Sequence, residues 1–572
     1  MTNHQIAAAL EQIADLLEFQ GANPFRVRAY RNAARAIHDL SESVAAVVAD
    51  PSRSLTDMEG IGKDLADKVA TLVNTGTLPM LEELLAEIPE SVLAMLRVPG
   101  LGPKRAATIF HELHVTTLDE LREACQAERI RELKGFGEKI EAAILQGLDI
   151  ASEAGRRMLW ANADQHVQAI LAHLRQCGAI EQIEAAGSYR RGKETVGDLD
   201  FLVVAKDAAA AMDCLAAYGG RSTVLARGET KMSIRLSDGL QVDLRVVPAE
   251  SFGAALQYFT GSKEHNIALR SRAKNRGLKI NEYGVFRGEK LVAGRTEEEV
   301  YAALELPCFP PELREARREF QWADAGQLPR LIEVDDIRGD LHTHSTWTDG
   351  QATIADMAAA AKARGLKYIA MTDHSKRVSM ANGMDAQRAR QQWAEIDKLN
   401  RQLSGIVVLK GVEVDILERG GLDLPDDVLA EADWVVASVH YGQNQPREQI
   451  TGRVIEALQN PYVSAIAHPT GRMLLQRKPY EIELDAVMKA AREHGKMLEL
   501  NAHPWRLDLD DVACAAAKNY GIPIVISTDA HRAEGLDAMR FGVQQARRGG
   551  LTKQDVANTR SWIQLKKMLG KK

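Results

Sequence analysis

Cysteine is scarce in this chain. Five thiols in 572 residues (Cys125, Cys177, Cys214, Cys308 and Cys514) form no Cys-x-x-Cys pair and no even framework. That excludes a small disulfide-stapled fold and leads to the expectation of reduced, mostly buried thiols in the cytoplasm. No run of about 18 apolar residues and no N-terminal signal pattern is visible, so neither a membrane span nor export is expected. A basic surplus is also missing: 72 Lys and Arg face 79 Asp and Glu, a formal net charge of −7. A generally basic nucleic-acid coat is thereby excluded. Any DNA contact must be local, through helix termini, arginines and metals, and must weaken with salt. Low-complexity tracts are absent, and the length suffices for three or four domains, each with its own core.

What the chain does have is concentrated. In the C-terminal part, potential metal ligands sit at the ends of successive short apolar runs: His342 and His344 in GDLHTHS, then Asp349, His374 after IAMTD, and Glu413 in LKGVEVD. His440, His468, Asp529 and His531 close three further runs, and His503 ends another. Imidazole and carboxylate are the ligands that borderline and hard divalent ions prefer. A structural zinc site is the duller reading, but it needs four ligands, whereas nine would serve about three ions. Asp373 can orient His374 or cap a turn, and both readings stay open. His494 lies in a charged helical stretch and reads as solvated.

Helical periodicity follows most of these runs, as over Ile354–Arg364 and Ala486–Glu493, so strand and helix alternate around a parallel sheet. Ligands at the C-terminal strand ends fit an α/β barrel, here a distorted seven-stranded one. The motifs HTH, TDH, GVEVD, SVH, AHP and STDAH resemble the PHP (polymerase and histidinol phosphatase) family over Gly339 to about Gly550. The resemblance implies metal-dependent phosphoester hydrolysis with His342, His344, Asp349, His374, Glu413, His440, His468, Asp529 and His531 as ligands to up to three manganese or zinc ions.

A second signature reads GSYRRGKETVGDLDFLVV from Gly187. Asp198 and Asp200 are two apart at the start of an apolar run, so a strand points both carboxylates to one face. Asp243 in QVDLR supplies a third acid. Three like charges held together repel strongly without cations. A polar surface turn is the bland reading; the Gly-Ser, the arginines and the third acid speak against it. The stretch resembles the nucleotidyltransferase palm of family X DNA polymerases, and YFTGS from Tyr258, with Asn266, Arg270 and INEY from Ile280, resembles their thumb. That resemblance implies two magnesium or manganese ions on Asp198, Asp200 and Asp243. It implies triphosphate contacts from Ser188, Arg191 and Gly197, a sugar-discriminating turn at Tyr258 and Phe259, and minor-groove monitors at Asn266 and Arg270. Gln241 departs from the arginine of the vertebrate repair enzyme.

Upstream, Gly60-Ile61-Gly62, Gly100-Leu101-Gly102 and the looser Gly135-Phe136-Gly137 each precede a helix-like segment. Amides at a helix N-terminus form a sequence-independent phosphate site, and these turns resemble helix-hairpin-helix motifs. An ordinary tight helix turn is the alternative for each. The segments NPFRVRAYRNAARAI and Gly60–Leu78 resemble the small lyase domain of family X enzymes, with Lys68 at the Schiff-base position. Arg26 and Asp64 stand where the animal enzyme has phosphate-gripping lysines; the reversal at Asp64 leaves 5′-phosphate binding as the expectation and counts against lyase chemistry.

The whole chain thus resembles bacterial family X DNA polymerases with a C-terminal PHP domain. The fold class expected is multidomain: N-terminal α-helical helix-hairpin-helix domains, an α+β nucleotidyltransferase palm and thumb, and a C-terminal α/β distorted barrel. The boundaries are read at 1–85 (small lyase-like domain), 86–150 (fingers-type helix-hairpin-helix), 151–250 (palm), 251–318 (thumb), 319–336 (linker) and 337–572 (PHP domain), with Pro307 to Asp336, rich in proline and charge, as thumb end plus linker. The implied partners are gapped or primed DNA and deoxynucleoside triphosphates; the implied activities are gap filling and 3′–5′ exonuclease. Two alternatives are a barrel acting on a small phosphoester and a chain serving mainly as a DNA-end binding scaffold.

Overall fold

A computed structural model describes residues 3–38, 44–50, 52–57, 61–88, 92, 95, 98, 101–154, 157–218, 223–236, 239–475 and 477–570. The chain divides into two units, Met1–Arg157 and Met158–Lys572.

The first unit is helical, with long helices at Asn3–Phe19, Pro24–His38, Lys63–Thr75, Pro103–Leu113 and Glu138–Ala154. Apolar spacing explains their packing: Leu65, Val69 and Leu72 lie on one face of Lys63–Thr75 and are buried in a core shared with Leu10, Ile13, Leu101 and Ile109. Gly62 and Gly102 are the N-cap residues of the helices Lys63–Thr75 and Pro103–Leu113. Gly60 and Gly100 lie outside the described residues.

The second unit begins with a five-stranded sheet. Its spatial order is Ile180–Ala185, Asp198–Ala205, Gln241–Val246, Lys231–Arg235, Thr223–Arg227, and only the pair formed by the second and third is parallel. The helices Trp160–Leu174 and Ala208–Ala216 pack together on it, which brings Cys177 and Cys214 to a Cα separation of 6.3 Å as a disulfide. This corrects the expectation of thiols throughout. The two cysteines are 37 residues apart, a spacing that signals nothing until the helices pack. Cys125, Cys308 and Cys514 are free.

Helices Phe252–Thr260 and Lys263–Asn275 follow, with a three-stranded antiparallel sheet of Lys279–Asn281, Gly284–Arg287 and Lys290–Ala293. The stretch read as a linker starts from a packed end: Glu319 and Phe320 are buried, whereas most of 321–336 is exposed or half-buried. Glu319 is buried against His265 Nδ1 at 2.8 Å, and the neighbouring Arg314 is 1 % exposed. Each of these buried ions has a partner, as a buried charge requires.

Seven strands, Gly339–Thr343, Tyr368–Met371, Val407–Asp415, Trp434–Ser438, Ala465–Ile466, Met497–Asn501 and Ile524–Ser527, then pair in chain order, all parallel. The sheet nearly closes: Thr343 bridges Ala530, and the Asp529 and His344 amides donate to His342 O and Ala530 O, each at 2.9 Å. Leu341, Ala370, Leu409, Trp434, Val436, Met497 and Val525 form one cluster with Leu565 of the helix Trp562–Met568. Trp434 and Met497 start their strands, so this helix plugs the end opposite the candidate ligands. No helix of the described residues is long and apolar enough to cross a membrane.

Candidate active sites

In the five-stranded sheet, parallel register places Asp200 beside Asp243 and Asp198 beside Gln241. Period-two alternation then puts Asp198 and Asp200 on one face. Burial, and repulsion from Asp198 and Asp243, push the Asp200 carboxyl up to about 7. Asp243 is also buried, yet hydrogen bonds from Ser233, Lys231 and Gln241 hold it below the usual carboxylate range. Lys231 Nζ lies 3.0 Å from Asp243 Oδ2, and Gln241 Nε2 donates to Oδ1 at 3.0 Å. Lys231 was missed by sequence reasoning, since only the antiparallel neighbour strand brings it there.

The turn before these acids demands glycine. Gly187 has φ of +64°, and a Cβ on it would come 2.5 Å from Asp200 Oδ2. Ser188 follows in a short helical turn, Gly187–Arg190, while Gly197 is exposed just before Asp198. Arg191 Nε donates to Glu315 Oε1 at 3.1 Å, and its Nη1 donates to Thr260 O. Tyr258 and Phe259 rings meet edge to face at 5.1 Å. Asn266 Nδ2 donates to Tyr258 O at 2.7 Å, and Arg270 Nε donates to Asn266 O at 3.2 Å. Arg245 stacks over Phe259, 4.3 Å from the ring centroid.

Arg190 ties this turn to the next helix, donating to Glu297 Oε1 at 2.9 Å and Oε2 at 2.7 Å, while buried Arg314 holds Oε1 as well. Burial opposes ionisation of Glu297, but the two guanidiniums outweigh it and hold the carboxyl at about 2. A depressed folded-state value stabilises above the unfolded value of about 4.3 and is lost as pH falls towards 2. The Glu297→Gln variant should therefore unfold about 3 kcal/mol more easily at pH 7. In urea melts, the gap from the parent should close as the pH falls from about 4.5 to about 2.

At the C-terminal mouth of the barrel all nine expected residues converge. Glu413 is the hub: its Oε2 is 2.8 Å from His374 Nδ1, 3.4 Å from His342 Nε2 and 3.7 Å from His344 Nε2. Its Oε1 is 3.1 Å from His468 Nε2 and 3.5 Å from His440 Nε2. Asp529 Oδ1 stands 3.2 Å from His344 Nε2, and Asp349 Oδ2 stands 3.4 Å from His531 Nε2. Three overlapping groups have ligand atoms within 4.8 Å of one another: His344, Asp349, His374 and His531; His342, His344 and Asp529; and His374, Glu413 and His440. His468 belongs to none of them and reaches the site through Glu413. The donor set fits divalent cations on a further observation. His342 Nε2, both His344 nitrogens, His374 Nδ1, His468 Nδ1 and Glu413 Oε2 are buried and, close as some of them lie to one another, none makes a hydrogen bond of good geometry among the described residues. Orphaned buried lone pairs are costly unless something binds them. Burial, then His531 and His374, drive His344 down to about 3, which keeps its nitrogens free to ligate.

Carboxylates behind the histidines orient them. Glu499 Oε1 accepts from His342 Nδ1 at 2.7 Å and Asp415 Oδ1 pairs with His440 Nδ1 at 3.0 Å, aiming each Nε2 at Glu413. Sequence reasoning missed both; Glu499 shares strand parity with buried Met497, the one signal available. Asp373 settles on the turn: it accepts from Ser345 N at 2.9 Å, Ser345 Oγ at 2.7 Å and Gln392 Nε2 at 2.5 Å, and does not orient His374. His503 is half-buried at the rim, and His494 is exposed.

Similarity to known proteins spans both sites. The helix-hairpin-helix domain family matches residues 1–78, and the SAM-like helix-hairpin-helix tandem matches 92–149. The DNA polymerase beta palm and thumb families match 157–241 and 255–315, and the PHP domain matches 340–503. DNA polymerase/3′-5′ exonuclease PolX of Bacillus subtilis (strain 168) is 42 % identical over 566 residues, 98 % of each chain. The chain belongs to the PolX family. Shorter relatives include a probable phosphatase of Thermoanaerobacter sp. (strain X514), 32 % identical over 38 % of this chain and 89 % of its own. Another, from Acetivibrio thermocellus, is 35 % identical over 34 % of this chain and 78 % of its own.

In this PolX-family chain the N-terminal lysine is restrained. Lys68 Nζ pairs with Asp64, one helical turn away, and lies 5.5 Å from the Tyr30 ring centroid. Partial burial lowers its affinity for a proton, but Asp64 and Tyr30 outweigh that and hold it above the usual lysine value. An ammonium cannot attack an aldehyde. Borohydride treatment on a 5′-deoxyribose phosphate duplex at neutral pH should therefore leave no Lys68-dependent adduct, read by gel mobility.

Proposed function

We propose that this protein is a DNA-directed DNA polymerase filling short gaps during repair, joined to a metal-dependent 3′–5′ exonuclease that trims 3′ ends. The observation that carries this reading is that similarity to a named polymerase/exonuclease covers 98 % of both chains and so takes in both sites. The cytoplasm is the proposed location, and gapped or primed DNA and deoxynucleoside triphosphates are the proposed substrates.

Asp198, Asp200 and Asp243 would hold two magnesium or manganese ions, which activate a primer hydroxyl and neutralise charge on the triphosphate. Ser188, Arg191 and the Gly197 amide grip phosphate oxygens. Tyr258 and Phe259 bear on the incoming sugar, while Asn266 and Arg270 check the minor groove. Gly62 and Gly102 open helices whose first amides hold backbone phosphates. Gly60 and Gly100 complete those two turns in the sequence. Lys68 helps hold the downstream 5′ phosphate as a cation.

In the barrel, the nine converging side chains would hold up to three manganese or zinc ions, which lower the pKa of a bound water and neutralise charge on phosphorus. Glu499 and Asp415 keep the ligating imidazoles in one tautomer.

The test is a gapped duplex with a labelled primer, incubated with magnesium or manganese, with and without deoxynucleotides. Extension with nucleotides and shortening without them supports both halves. Extension alone, with turnover of a small phosphomonoester, makes the barrel a phosphatase; neither activity makes the chain a DNA-end scaffold.

A further inference from the structure

The barrel domain's helix Met539–Arg548 packs on the polymerase turn at Arg191, Gly192 and Glu194. Gln544 packs so closely on Gly192 that a Cβ there would come 2.2 Å from its Nε2, and Gly192 has φ of +66°. Phe541 meets Trp160 edge to face at 5.7 Å, and Trp160 stacks on Tyr189 at 5.1 Å. Arg540 Nη1 lies 2.7 Å from Asp164 Oδ2, whose other oxygen accepts from Tyr189 Oη at 2.6 Å.

Arg548 is the last residue of that helix, with a side chain only 2 % exposed. Its Nη1 donates to Arg191 O at 2.7 Å and to Glu315 Oε1 at 3.0 Å, and its Nη2 donates to Asp511 Oδ2 at 2.7 Å. Glu315 Oε1 in turn accepts from Arg191 Nε at 3.1 Å. One guanidinium from the barrel domain therefore holds Arg191 at both ends, its carbonyl directly and its side chain through Glu315. Only a planar fork with five donors can satisfy three acceptors in these directions; an ammonium cannot. Asp511 also pairs with Arg317 Nη1 at 3.0 Å, so a second guanidinium, from the end of the thumb segment, holds the same barrel carboxylate.

We propose that Arg548 is a positioning residue for nucleotidyl transfer, so that the exonuclease domain supplies part of the architecture of the nucleotide site. This rests on the reading of Arg191 as a triphosphate contact. A group that grips the triphosphate equally in ground and transition states acts on KM rather than kcat. Loosening such a group by a fraction of an ångström is costly for binding.

The experiment is steady-state single-nucleotide insertion by the full chain, with primer shortening by the barrel measured on the same preparations. Arg548→Met is expected to raise KM for the deoxynucleotide about tenfold with kcat changed less than about twofold. Shortening should stay at the parent rate, because Arg548 lies outside the ligand cluster. Arg548→Lys, which keeps the charge and loses the fork, should fold as the parent does and show a smaller rise in KM; it decides the matter if Arg548→Met does not fold. Arg191→Met should raise KM by itself, and adding Arg548→Met to it should change KM by less than about twofold, because the two act as one unit. If Arg191→Met raises KM while both Arg548 variants keep the parent value, the inference is overturned and the triphosphate reading stands. If Arg191→Met leaves KM unchanged, the triphosphate reading falls, and the inference with it.

Discussion

Replacing Asp198 and Asp200 together by alanine should lower primer extension by roughly 10³-fold or more, while shortening of the same labelled primer stays within about twofold. The size follows from what the sheet builds. Parallel register sets Asp200 against Asp243, and alternation adds Asp198 on the same face. Burial first, and then repulsion from Asp198 and Asp243, push the Asp200 carboxyl up to about 7. Such an arrangement opposes folding, because like charges are confined where burial already disfavours ionisation. Acids perturbed in this way cluster at functional sites. The same variant should therefore melt no lower than the parent, and lost extension cannot be put down to unfolding. Gly187 sharpens the point, since its missing side chain leaves the space that Asp200 Oδ2 fills. Extension by the double variant at the parent rate would remove the polymerase assignment.

The legible parts of the molecule were those whose signal is local. Pairs such as Asp198 and Asp200 declare a strand face by spacing alone. The candidate barrel ligands stand out because most of them close or follow short apolar runs, and those runs are parallel strands of the barrel. What escaped was long-range. Glu499 pairs with His342 across 157 residues, and Arg548 meets Arg191 O across 357. Neither has a neighbour in sequence that hints at its partner. The disulfide between Cys177 and Cys214 depends on two helices packing side by side. Asp373 was legible as polar but not as the staple of the Ser345 turn, because Gln392 and Ser345 approach it from different segments. At the start of the stretch after residue 318, Glu319 is charged yet buried beside His265, a pairing across 54 residues that spacing cannot show. A single sequence shows which residues carry chemistry more readily than which ones hold them still.

Replacing His344 by alanine should reduce primer shortening by roughly 10³-fold or more and leave extension largely intact. Among the nine residues His344 is the informative choice because it sits in two of the three candidate ligand groups, facing Asp349, His374 and His531 on one side and His342 and Asp529 on the other. One substitution therefore weakens two cation positions, whereas loss of His440 touches one. His344 is also wholly buried, and among the described residues neither ring nitrogen has a hydrogen-bond partner, as expected of a side chain placed to ligate a cation. Removing it takes away an unsatisfied polar group along with packing, so the fold should tolerate it: the melting temperature in chelator should fall by no more than a few degrees. Metal content after dialysis against manganese, read by elemental analysis, should drop by at least one ion per chain while extension continues. A variant that kept its full metal content and still shortened primers would place the chemistry away from this cluster. Loss of both activities together would instead mean that the barrel is needed to hold the polymerase fold. The direct packing of Met539–Arg548 on the polymerase turn makes that second outcome physically meaningful, and the alanine change, buried away from that helix, is the substitution that separates the two.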